Sequence, residues 1–101
     1  PVRRTSRLQA ALHDYQRVID SNASPALRRS ARLGLGRAAL AAGDAGRGIE
    51  ALREVIRNGL RENAPRDVAL AAQLLGDHYR AAGELEQAIR AYQARIDDVR
   101  E

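Results

Sequence analysis

The residues LGRAALAAGDAGRGIEALREVI (35–56) return 40 positions later as LGDHYRAAGELEQAIRAYQARI (75–96), without a gap and with eight of 22 columns identical. Leu35 pairs with Leu75, Gly36 with Gly76, Ala41-Ala42-Gly43 with Ala81-Ala82-Gly83, Ile49 with Ile89, Ala51 with Ala91 and Ile56 with Ile96. In both copies an acid, Asp44 or Glu84, follows the glycine. An alanine-rich run ending in glycine and then an acid reads as a helix stop followed by the start of another helix. Glycine takes positive φ with no Cβ to clash, and a carboxylate accepts from the free N–H groups of a first turn. A chain that repeats such a helix pair buries its apolar faces by stacking one copy on the next, which makes a helical solenoid.

Hydrophobic spacing extends this reading along the chain. From Arg7 to Asp20, Leu8, Ala11, Leu12, Tyr15, Val18 and Ile19 form one helical stripe, which Thr5 or Ser6 can cap. Ser24-Pro25 reads as the N-cap and first residue of a second helix with Leu27, Ala31, Leu35, Ala38, Ala39 and Ala42 on its stripe. A third helix carries Ile49, Leu52, Val55 and Ile56, and Asn58-Gly59 reads as its stop. A fourth runs from Pro65 to Ala82 with Val68, Ala71, Ala72, Leu75 and Tyr79, and a fifth from near Leu85 with Ala88, Ile89, Tyr92, Ile96 and Val99. Alanine, leucine, arginine and glutamate dominate, tyrosine is the only aromatic residue, and no segment asks for a strand. The expected fold is all-α, with about five helices made antiparallel by their short connections. ALHDYQRVI (11–19) parallels AIRAYQARI (88–96), so the first helix reads as a leftover second helix. The expected organisation is one repeat domain over 1–101, divided into 6–21, 25–58 and 65–99 and amounting to two and a half repeats.

The blocks L-G-x-x-Y-x-x-x-G-E-x-E-x-A-I-x-A-Y (75–92) and L-G-x-x-x-x-x-x-G-D-x-x-x-G-I-x-x-L (35–52) resemble tetratricopeptide repeats. The departures are Ala39 and Leu52 where aromatics are common in that family, Gly48 where alanine is usual, and a period of 40 against the family's about 34, with the excess in NGLRENAPR. The resemblance implies a right-handed solenoid of helical hairpins acting as a protein–protein interaction scaffold, with no catalysis of its own. In that family the first helices of successive repeats line a concave groove. The residues lying off the packing stripe there would be Leu33, Arg37 and Leu40, then Leu70, Gln73, Asp77 and Arg80. Such a wall suits a protein or peptide segment with an apolar anchor and a carboxylate near Arg37 or Arg80. The family's lysine and asparagine set for a chaperone's terminal carboxylate has no match, since the chain has no lysine.

Other chemistries find less support. The absence of cysteine excludes disulfides and thiolate sites. His13 and His78 have no partner at metal-ligand spacing, so surface histidines are expected and no metal. Gly34, Gly36 and Ala39 match G-x-G-x-x-A, yet they lie inside a helical period and do not follow a strand, so neither a nucleotide nor another cofactor is expected. No Ser-His-acid order or paired carboxylates suggest an enzyme. All 17 basic residues are arginine, which with the abundant alanine and glycine suggests GC-rich bacterial coding. Arg3-Arg4-Arg7 and Arg28-Arg29-Arg32 make nucleic acid a minor alternative, because no aromatics interleave with them and the remaining arginines alternate with acids, as in the spacing of Glu50 with Arg53 and Glu54 with Arg57. No apolar run reaches the roughly 20 residues of a membrane span. The other reading kept open is a regulatory or dimerisation module of a larger bacterial signalling, transcription or envelope-assembly protein, with the cytoplasm slightly favoured over the periplasm.

Two further expectations follow. Beginning at Pro1, the chain reads as a piece of something longer; its first helix lacks a partner and its fifth keeps an apolar stripe, so association through the array ends, as a homo-oligomer, is expected. Residues 1–66 carry thirteen arginines against six acids (+7) and residues 67–101 four against seven (−3), which favours head-to-tail contact. Among the glycines, Gly36 recurs as Gly76 while Gly34 aligns with Leu74, Gly46 with Glu86 and Gly48 with Ala88. Gly36→Leu is therefore expected to loosen the helix pair, whereas position 34 should accept alanine.

Overall fold

A computed structural model describes the backbone of residues 2–100 and the side chains of residues 6–94. Among the described residues there are five helices and no strand: α1 (Val2–Ile19), α2 (Pro25–Ala41), α3 (Ala45–Arg61), α4 (Pro65–Ala81) and α5 (Leu85–Arg100). The fold is the all-α array of helical hairpins that the repeat implies. The chain divides into two compact units, Pro1–Ala51 and Leu52–Glu101, with the boundary inside α3.

Local chemistry sets most helix ends. Ser24 is extended (φ −60°, ψ 155°), its hydroxyl accepts from the Leu27 N–H at 3.2 Å, and Pro25 opens α2. Asp44 accepts from the Arg47 N–H at 3.3 Å and so caps α3. Gly43 and Gly83 take positive φ (85° and 78°), and the amides beyond them reach back five residues, Asp44 to Ala39 O at 2.9 Å and Glu84 to Tyr79 O at 2.8 Å.

Two boundaries differ from expectation. α1 continues past Thr5 and Ser6 to Val2, since nothing in VRRTS interrupts a helix. α3 runs straight through Asn58-Gly59 to Arg61. Gly59 is buried there for close approach: a Cβ at this position would lie 2.6 Å from Cγ2 of Val68 on α4. The stop falls at Asn63 instead, which takes the left-handed conformation (φ 55°), while the Ala64 N–H reaches Gly59 O at 2.8 Å. Asparagine tolerates this conformation better than other residues with a side chain. Asn63 thus does the work of Gly43 and Gly83, and the three turns stand 20 residues apart.

The 40-residue repeat is therefore built from half-units of equal length. α2, α3, α4 and α5 begin at residues 25, 45, 65 and 85, and the buried positions recur in the same register. Ala31, Ala51 and Ala71 are buried and Ala91 half-buried; Leu35, Val55 and Leu75 are buried, as are Ala39, Gly59 and Tyr79. The excess over the common repeat length lengthens the helices and leaves the turns short. Within the first unit Leu12, Ile19, Ala31, Leu35, Ala39 and Ala51 form the core, flanked by Tyr15, Val18 and Ala38. Within the second, Leu52, Val55, Val68, Ala71, Ala72, Leu75, Tyr79 and Ala88 are buried. Leu27, expected on the α2 stripe, is 55% exposed in the first turn of that helix.

The glycine sorting needs correction at two positions. A Cβ on Gly34 would run into the Tyr15 ring of α1, so this glycine is where α1 and α2 meet. A Cβ on Gly48 would stand 2.8 Å from Leu40 Cγ and 3.0 Å from the Gly36 carbonyl oxygen, so α2 and α3 cross at Gly36 and Gly48. In the later copy Arg80 replaces Leu40, is exposed, and leaves room for the methyl group of Ala88. The pair Leu40/Gly48 exchanges volume against Arg80/Ala88. Gly46 has open space around it, in keeping with its alignment to Glu86.

Candidate protein-interaction faces

Among the described residues no polar or charged side chain is buried, and no group of three His, Cys, Asp or Glu is placed to hold a metal. The residues singled out from the sequence fall into two sets, one in each unit. On α2, Leu33, Arg37 and Leu40 share a helix face by their spacing of four and three. On α4, Leu70, Gln73, Asp77 and Arg80 share a face at spacings of three, four and three.

The two faces are used differently by the fold. Arg37 is exposed and Leu33 half-buried beside it, but Leu40 turns toward Gly48 of α3 and takes part in the hairpin crossing. On α4, Leu70 is 38% exposed, and Gln73 and Arg80 are exposed. Asp77, also exposed, accepts a 2.5 Å hydrogen bond from the Tyr92 hydroxyl of α5. That acceptor, with a smaller contribution from burial, raises the Tyr92 pKa above its ordinary value, while the Arg80 guanidinium acts in the opposite direction. Asp77 thus tethers α5 to α4, with the exposed Arg80 close to the same hydroxyl. Tyr92 is held in place from beneath by Gly76, where a Cβ would overlap the ring.

Other polar contacts include two within α3 and one between helices. Arg57 pairs with Glu54 one turn away on α3, Arg61 donates to Asn58 at 2.6 Å, and Arg53 reaches across to α4, where its Nη2 donates to the Tyr79 hydroxyl at 3.0 Å. All three tyrosines therefore stand at helix-to-helix contacts: Tyr15 over Gly34, Tyr79 with Arg53 and Tyr92 over Gly76. His13 is exposed, and His78 is half-buried with its ring 5.5 Å from that of Tyr79. No helix among the described residues is long and apolar enough to cross a membrane.

What the sequence reading missed is Arg53 with Tyr79, a pair 26 residues apart that a comparison of copies reveals only indirectly, through Tyr79 standing where the first copy has Ala39. A family model described as a tetratricopeptide repeat-like domain matches residues 4–101. No curated protein and no solved structure matches the chain significantly.

Proposed function

Because this chain belongs to the tetratricopeptide repeat-like family, whose members are in general protein-interaction repeat modules and non-enzymatic scaffolds, we propose that it binds a protein partner through the outward faces of α2 and α4. One observation carries this reading. On α2 the exposed Arg37 stands one turn from the half-buried Leu33, and on α4 the exposed Arg80 shares a helix face with the 38% exposed Leu70, ten residues before it. A partner segment with an apolar anchor and a carboxylate finds both complements on such a face, and the arginine fork suits the carboxylate. Both helices open on a proline, are closed by the Gly43 and Gly83 turns and are packed from behind, so little order has to be gained on binding.

The test is to replace Arg37 and Arg80 by glutamate and measure affinity for the partner that co-purifies with the chain. A loss of about tenfold or more is expected, in line with a charge-assisted hydrogen bond. Unchanged affinity removes both arginines from the account.

A second reading, self-association, draws on α5. Leu85 and Ile89 lie one turn apart and are 62% and 57% exposed, an apolar pair that a second copy can cover. With the charge of the chain divided +7 against −3, head-to-tail contact would weaken with salt. A monomer in sedimentation at high protein concentration, whatever the salt, contradicts it.

A further inference from the structure

The face of α4 opposite Leu70 and Arg80 carries a depression of its own. Ile56 of α3, Leu75 and Tyr79 of α4 and Ala91 of α5 form its buried or half-buried floor; Arg53 and Arg90, both exposed, stand at its edge, and the space is about 240 Å³, all of it within the second unit. That is smaller than the roughly 300–1,000 Å³ of sites that enclose a whole small molecule, and suits a single large side chain.

Comparison of the two copies separates what the fold requires here from what it does not. The floor positions Leu75 and Ala91 repeat Leu35 and Ala51. The other lining positions of α4 and α5 all differ. Tyr79 stands where the first copy has Ala39, Arg90 where it has Glu50, and Ala94 where it has Glu54. Two acids and the cation of Arg47, which becomes Gln87, are gone, while the Arg90 cation and the Tyr79 ring are gained around the unchanged Leu75 and Ala91, a net shift toward positive charge. The aromatic ring also positions the other cation, since the Tyr79 hydroxyl accepts from Arg53 Nη2 at 3.0 Å. A guanidinium held in this way loses less freedom when it engages a ligand.

From this we infer that the depression binds an acidic segment of a protein partner, one apolar side chain filling the floor while carboxylates beside it pair with Arg53 and Arg90. The charge complementarity selects carboxylates, and the small apolar floor requires that a side chain accompany them. This site lies apart from the outward faces of α2 and α4 and stands or falls independently of them.

The probe is a fluorescein-labelled peptide with one leucine flanked on each side by two glutamates, blocked at both ends, titrated with the 101-residue chain and followed by anisotropy. Saturable binding is expected, weakened about tenfold or more by Arg90→Glu and by Arg53→Gln, and about tenfold when serine replaces the leucine of the peptide. Arg37→Glu with Arg80→Glu should change it less than about twofold, which separates this site from the faces described above. Arg90 is exposed, so Arg90→Glu should keep the helical circular dichroism of the parent and carries the test even if Arg53→Gln loosens the fold. The proposal is overturned by the absence of saturable binding, by equal binding of the parent and Arg90→Glu, by equal binding of the leucine and serine peptides, or by tighter binding of a single-stranded oligothymidylate that Arg90→Glu abolishes.

Discussion

Substituting Gly76 by alanine sets two effects of known sign against each other. In the interior of α4 the exchange should favour the helix by about 1 kcal/mol, because alanine loses less backbone entropy than glycine. The new methyl group would occupy space now filled by the half-buried Tyr92 ring, however, so the ring must either be compressed or move. Overpacking of a buried contact costs about 1–3 kcal/mol. If the ring swings away instead, its hydroxyl leaves Asp77 and the tether between α4 and α5 is lost. The net expectation is a destabilisation of about 1 kcal/mol, which for a domain of this size lowers Tm by about 4–8 °C. In a Tyr92→Ala background the overlap is absent, and Gly76→Ala should then stabilise by up to about 1 kcal/mol. Urea and thermal unfolding followed by far-ultraviolet circular dichroism on the four chains of this cycle give the coupling directly, expected near 2 kcal/mol. The same sign for Gly76→Ala in both backgrounds refutes the assignment of Gly76 as a ring-accepting crossing.

Related expectations concern other positions. Gly34→Ala should lower stability through the Tyr15 ring and lose that effect when Tyr15 is replaced by alanine, read from the same melts. Asn63→Ala should cost about 1 kcal/mol and Asn63→Gly should stabilise slightly, since residue 63 sits at φ 55°. Leu27→Gln should change stability by no more than about 0.5 kcal/mol because the side chain is 55% exposed. Tyr92 should ionise later than an ordinary tyrosine near pH 10.0 when phenolate absorbance is titrated. A raised pKa means the folded state holds the proton more tightly than the unfolded state. Its contribution to stability is therefore complete below the ordinary value and is lost as pH rises through the raised one, and Tyr92→Phe should remove that alkaline dependence.

How far the chain could be read from its residues depended on the range of the interactions involved. Ser24-Pro25, Gly43-Asp44 and Gly83 act on their own helix ends, so the residue types announce them. Asn58-Gly59 misleads because its role is decided by Val68 on the next helix, and a packed glycine and a stop glycine look alike in one dimension. Asn63 would have been found by looking for a left-handed residue midway between Gly43 and Gly83, but the unequal composition of the two half-units hides the 20-residue spacing. The same reasoning applies to the candidate faces. Arg37 and Arg80 could be placed on exposed surfaces by helical period alone. That Leu40 lies over Gly48, and Asp77 under the Tyr92 hydroxyl, depends on which side chain a neighbouring helix brings to them. The basic depression draws on three helices at once, and its one-dimensional trace is the change from Ala39 to Tyr79 and from Glu50 to Arg90 between the two copies.

The central claim is that the outward faces of α2 and α4 receive a protein partner. Site-specific photo-crosslinking tests it most directly, with the reactive side chain placed in turn at Arg37, at Gln73, and at the exposed control positions Arg17 of α1 and Arg47 of α3. The account predicts a discrete partner adduct from positions 37 and 73 that is absent from 17 and 47. Adducts from the control positions alone, or of equal yield at all four, would contradict it.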